Sequence, residues 1–199
     1  MVELSAIVLL LPLAAYLIGS LSAAIIVCRL MGLPDPRTQG SHNPGATNVL
    51  RIGGKKAAAV TLLGDMVKGV IPVGVGLALG LSDPQLAAVG LAALLGHLWP
   101  LFFGFRGGKG VATAFGVILV LAWPVALAAL LTWLVVAKLF RISSLAALIA
   151  ALLTPLYGWW FEQPAIIWQL FVVISLLLLL RHRQNIRNLL SGQEGALGR

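Results

Sequence analysis

Apolar residues fall in long runs along this chain, several close to the ~20 residues that cross a hydrocarbon core, and polar residues gather between them. The runs predict helices at about 4–28, 57–80, 85–103, 111–122, 124–139, 142–160 and 164–181, an all-α polytopic membrane protein in one domain, residues 1–199. The run from Val111 to Lys138 decides how often the chain crosses. As one helix of about 28 residues it would span with tilt. The chain would then cross six times, with Arg181, Arg183 and Arg187 opposite Arg51 and Lys109. Pro124 argues for a break, because it removes a helix hydrogen bond and disfavours helical backbone at Trp123. Two helices of roughly 12 to 16 residues then replace one, short enough to need a thinned bilayer or shelter. This predicts seven transmembrane helices, N-terminus out and C-terminus cytoplasmic.

Composition agrees with a bilayer as solvent: 60% of the residues are hydrophobic, 10% are charged, and the mean hydropathy is +1.01. The first run carries Glu3 rather than a basic leader, so it is expected as a retained span and not a cleaved signal peptide. The lone Cys28 excludes an intramolecular disulfide and is expected as a small buried residue. A net charge of +8 raises the question of nucleic acid, and its placement answers it. Thirteen of the fourteen Lys and Arg fall in alternate inter-span segments or beside them, Lys68 lying within the second run; the segments around Ser82-Asp83 and Glu162-Gln163 have none. That is the positive-inside pattern, not a nucleic-acid patch. Gly74, Gly76, Gly80, Gly90 and Gly96 fall within predicted helices, where small residues let backbones approach. Asp65 and Lys68, three apart in the second predicted helix, are the ionisable groups placed inside the bilayer and are expected to pair.

Seven crossings bring three distant polar segments to one face. The first, Gly40 to Lys56, holds Ser41, His42, Asn43, Thr47, Asn48 and Arg51 around Pro44 and Gly45, and is expected as a loop with free amides. Lys55 and Lys56 need only the positive-inside rule. The neutral hydrogen-bonding side chains do nothing for topology and point to a site.

The second segment reads FFGFRGGKGVATAFG, Phe102 to Gly116, preceded by His97 and Pro100. It is no nucleotide P-loop, since Phe103 and Gly110 stand where that motif needs Gly and Ser or Thr. Gly107, Gly108 and Gly110 still allow a backbone cradle, Lys109 adds a charge, and a helix beginning near Val111 would aim its amino end at the loop, favouring an anion. The third segment, Arg181 to Glu194, sets His182 and Asn185 on one helical face; its arginines also fit snorkelling to headgroups.

The inventory excludes several chemistries. There is no Cys–His pair, no metal-type cluster, and no His with Asp five residues later: Thr47, Phe102 and Arg187 hold those places. No cofactor is called for. Cations, amides and hydroxyls suit phosphate groups and developing oxyanions, so the substrate should arrive activated.

SHNPGATNVLR…GKK, GHLWPLFFGFRGGKGVAT and RHRQNIRNLLSGQE resemble, in order and spacing, the three signature segments of the bacterial acyl-phosphate:glycerol-3-phosphate acyltransferase family, from about Gly19 to Glu194. His42 stands where that family more often has Gly or Ser. The resemblance implies a seven-helix inner-membrane enzyme with its active site facing the cytoplasm. It would move an acyl group from acyl phosphate to the sn-1 hydroxyl of glycerol 3-phosphate, giving lysophosphatidic acid and phosphate for phospholipid synthesis. The implied partners are those two substrates, membrane lipid and the enzyme supplying acyl phosphate, with no nucleic acid. Ser41, Arg51, Lys109, His182 and Asn185 are the expected catalytic set. Glycerol phosphate would be held by Arg51, Lys109, Ser41 and His182. The acyl phosphate head would lie on Gly107, Gly108, Lys109 and Gly110. Asn43, Gly45, Thr47 and Asn48 would shape the pocket, with His97, Arg106, Thr113 and Arg181 as further substrate contacts. The hydroxyl proton is expected to go to His182 or to a substrate phosphate oxygen, with the phosphate favoured because no carboxylate is assigned a role. The alternative is a transporter for a phosphorylated or anionic substrate, although such sites tend to lie near the midplane.

Overall fold

The computed structural model describes residues 2–196, with side chains from residue 9 onward. Glu3 therefore lies outside the described side chains. Among the described residues all regular structure is helical: α1 Val2–Gly19, α2 Ala23–Leu30, α3 Ala46–Ala78, α4 Asp83–Leu98, α5 Val111–Leu121, α6 Trp123–Phe140, α7 Ser143–Trp160, α8 Ala165–Arg181 and α9 Arg183–Leu190, with a 3-10 turn at Leu101–Phe103.

The break at Pro124 is present. Ala122 leaves helical geometry at φ −154°, and Pro124 occupies the first turn of α6. Three other expectations need correction. The run 4–28 is two helices bent by 43°. Ser20 Oγ turns back to the Tyr16 carbonyl at 2.8 Å, and Ser22 caps α2 by accepting the Ile25 amide. The second half of the Gly40–Lys56 segment is helix rather than loop. Gly45 starts α3, and the chain is helical to Gly53 before Gly54, at φ +75°, kinks it. A side chain would strain that position. Gly80 likewise lies just past α3, at φ +71°, not within it.

Among the described residues four helices are long and apolar enough to cross a membrane, six if the bent pairs α1–α2 and α8–α9 each count once; α5 is shorter. Large apolar side chains such as Leu63, Leu131, Leu176 and Trp160 point outward, which only a lipid solvent accommodates. Inside, Leu94, Leu98, Val117, Phe171 and Ile174 form the core where α4, α5 and α8 meet. Glycines set two close helix contacts. A Cβ on Gly19 or Gly96 would strike the facing backbone of α4 or α1, and one on Gly69 or Gly116 would strike that of α5 or α3. The second contact carries Asp65 and Met66 up against the start of α5.

The Asp65–Lys68 pair is present, 2.7 Å apart, and His97 joins it. The buried Lys68 ammonium faces three acceptors: Asp65 Oδ1, the Leu21 carbonyl at 2.8 Å and His97 Nδ1 at 3.1 Å. One charged group therefore ties the α1–α2 junction, α3 and α4 together. Cys28 is buried and free.

Candidate active site

One cavity of about 580 Å³ collects residues from all three polar segments. At its polar end are Ser41, Arg51, Lys109, His182 and Asn185, distant in sequence and now side by side. Asn43, Gly45, Thr47, Asn48, His97 and Gly110 also border it. From there an apolar arm runs between α3, α5, α6 and α7, past Met66, Phe115, Ile118, Leu130 and Trp133 to Ala151.

The first segment is shaped by Asn48, which is 1% exposed. Its Oδ1 accepts the Ser41 amide at 2.9 Å, and its Nδ2 donates to the carbonyls of Pro36 at 2.8 Å and Gln39 at 3.0 Å. Asn48 spends its amide on the loop, so that Ser41 and Asn43 face the cavity. Gly40, at φ +59°, leaves no room for a Cβ against Asn48 Oδ1. His42 sits at φ +55°. Glycine adopts that left-handed backbone more readily than histidine does.

The glycine loop is held from both sides. Arg181 donates through Nε to the Gly108 carbonyl at 3.1 Å and through Nη2 to the Gly107 carbonyl at 2.8 Å, and its guanidinium lies 5.6 Å from the Trp99 ring centroid. On the other side, a Cβ on Gly108 would collide with His97 Nε2 and crowd the Pro44 carbonyl. No amide from Gly107 to Gly110 donates to another group among the described residues, and the amino end of α5 follows directly. Clamped carbonyls, unspent amides and a helix amino end form an anion cradle. Lys109 belongs to the same loop and lines the cavity. Burial, and then Arg51 and Arg181, draw its pKa below the ordinary lysine value, with Glu194 opposing.

His182, 3% exposed, donates from Nδ1 to the Leu178 carbonyl at 2.8 Å, so Nε2 is left as its acceptor. Burial, with Lys109 and Arg181 nearby, holds the imidazole down to about 4. It is neutral at physiological pH. Glu194 is the residue that sequence reading missed. Its Oε1 accepts from both Asn185 Nδ2 and Ser144 Oγ at 2.6 Å, pinning the tail after α9 across the cavity mouth. A single carboxylate in a cationic segment was the available signal.

Not every expected contact reaches this cavity. Thr113 is buried and donates to the Asp65 carbonyl at 2.8 Å. Arg106, Gly107 and Arg181 border a second cavity beside it, and Gly108 backs onto His97.

The model of a family described as glycerol-3-phosphate acyltransferase matches residues 9–192. The chain belongs to this family. The glycerol-3-phosphate acyltransferases of Methylococcus capsulatus and Thioalkalivibrio sulfidiphilus are 58% and 60% identical to it, covering 92% and 94% of this chain and 93% of each relative. A solved integral membrane glycerol 3-phosphate acyltransferase, PlsY (YgiH), in its glycerol 3-phosphate form superposes with a TM-score of 0.92 at 40% identity over 96% of both chains. Its lysophosphatidic acid form gives 0.89 at 39% identity over 95% of this chain and 94% of that one. This member of the glycerol-3-phosphate acyltransferases is thus an acyltransferase and a multi-helix membrane protein, which sets the transporter reading aside.

Proposed function

We propose that this chain transfers an acyl group from acyl phosphate to the sn-1 hydroxyl of glycerol 3-phosphate, releasing lysophosphatidic acid and phosphate. The observation that carries this is the single cavity with a cationic, amide-lined end and an apolar arm, which matches a fatty chain ending in a phosphorylated carboxyl. The acyl phosphate head lies against Lys109, Gly110 and the amino end of α5, with its chain along Phe115, Ile118 and Leu130. Arg51, Lys109 and Ser41 hold the glycerol phosphate, and Asn185, steadied by Glu194, orients the attacking hydroxyl.

The hydroxyl oxygen bonds to the acyl carbon, the acyl carbon–phosphate oxygen bond breaks, and phosphate leaves on the loop amides. The mixed anhydride is activated on arrival, so no enzyme nucleophile is required. Burial holds the His182 imidazole down to about 4, which makes it a poor base at neutral pH. The proton therefore goes to a substrate phosphate oxygen.

The chain crosses the inner membrane seven times, with α1–α2 as one bent span and α5, about 16 Å long, as a short one. The N-terminus is outside and the cavity opens to the cytoplasm, where a separate enzyme supplies acyl phosphate. Purified protein offered acyl phosphate, acyl-CoA or acyl carrier protein thioester with glycerol 3-phosphate should make product from acyl phosphate alone. Equal product from a thioester would overturn the donor assignment. Impermeant thiol labelling in a Cys28→Ala background should reach position 183 from the cytoplasmic side and position 162 from the opposite side.

A further inference from the structure

The glycine loop borders two cavities. Lys109 and Gly110 face the reaction cavity, whereas Arg106 and Gly107 face a second one of about 360 Å³. Arg37 and Arg181 complete its cationic lining, with His42, Pro44 and Phe105 between them and no carboxylate among the lining residues. The nearest acid, Asp35, is held by Arg37 at 2.7 Å, and that pairing keeps its carboxyl below the usual range. Arg37 Nη1 also donates to the Phe103 carbonyl, and His42 Nδ1 to the Arg37 carbonyl. Arg37 is thus fixed by Asp35 and the Phe103 carbonyl, and Arg181 by the Gly107 and Gly108 carbonyls, while among the described residues the Arg106 guanidinium keeps its fork free beside the cavity.

Two features say that the arrangement is more than a topology signal. His42 at φ +55° and Phe105 at φ +58° are non-glycine residues in the left-handed region, and both border this cavity. Such strain collects where a backbone is shaped for binding. Phe105, which lines the cavity, is also exposed, as are Leu101 and Phe102 just before it in the chain.

We infer that this second cavity is an anion site that takes a phosphate group, distinct from the reaction cavity. Planar guanidinium forks match phosphate oxygens, and the ligand is either inorganic phosphate or the phosphate of an anionic lipid whose chains lie on the apolar rim.

The test reads binding, not turnover, so it stands whether or not the acyl donor is acyl phosphate. Inorganic phosphate is titrated calorimetrically into protein in neutral detergent, in a Lys109→Ala background that removes the reaction cavity's ammonium. Binding should persist there and weaken about tenfold or more on adding Arg106→Gln or Arg106→Glu; Arg106 is exposed, so neither disturbs the fold. Repeating the titration in nanodiscs separates the sources. If phosphatidylglycerol suppresses the Arg106-dependent binding and phosphatidylcholine does not, the lipid headgroup is the occupant; if neither does, it is inorganic phosphate. Phosphate binding unchanged by Arg106→Glu overturns the site. So does its absence in Lys109→Ala with no Arg106-dependent effect of phosphatidylglycerol.

Discussion

Asn48 Oδ1 accepts the backbone amide of Ser41 at 2.9 Å, so a residue in the first turn of α3 sets the position of one seven places earlier. Asn48→Ala leaves that amide and the Pro36 and Gln39 carbonyls without their buried partner, at a cost of about 1–3 kcal/mol. Misplacing Ser41 should also lower kcat/KM for glycerol 3-phosphate on the order of a hundredfold. Thermal unfolding and steady-state kinetics on the variant check both. An unchanged melting point with unchanged kinetics would contradict the role.

His182 is held neutral down to about 4, so its charge does not change between pH 5 and 8. The pH profile of kcat/KM should therefore show no acid limb belonging to this residue. A limb near 6.5 that vanishes in His182→Gln would make the imidazole the base.

Lys109 behaves in the opposite range. Burial draws its pKa below 10.5, so the ammonium is lost earlier than a free lysine's as pH rises. Affinity for glycerol 3-phosphate should fall along an alkaline limb below 10.5. In Lys109→Arg the remaining activity should hold to higher pH, because a guanidinium does not deprotonate there.

Glu194 steadies Asn185 and Ser144 through one oxygen. Glu194→Ala should lower kcat by about tenfold or more, while Glu194→Gln, which keeps an acceptor oxygen, should recover much of that loss. Equal activity in both variants would make the contact incidental.

Ala150 and Ala151 keep the apolar arm open against α7. Ala150→Phe should shift preference toward shorter acyl chains, read as kcat/KM across a chain-length series, with glycerol 3-phosphate KM unchanged. A uniform loss at every length would place the chain elsewhere.

Much of this was legible from residues alone. The apolar runs located the helices, Pro124 marked the α5–α6 break, and charge placement brought Ser41, Lys109 and His182 together. What was not legible came from short-range competition and close packing. Residues 46–53 lie between Pro44-Gly45 and Gly53-Gly54, so they read as loop, yet Gly45 starts a helix there. The 60° bend at His182 follows no proline or glycine. Arg106 and Arg181 flank the same loop as Lys109, and only the backbone's turn at Gly107 and Gly108 sends them to a different cavity. Glu194 looked like tail because its partners, Asn185 and Ser144, meet it only after α9 folds back.

The most direct measurement is turnover by purified protein in lipid, with acyl phosphate and glycerol 3-phosphate supplied together. Lysophosphatidic acid and inorganic phosphate should appear one for one, and Lys109→Ala should lose nearly all of both while still folded. Product formation untouched by Lys109→Ala, or no product from the wild-type chain with both substrates present, would contradict acyl transfer in this cavity.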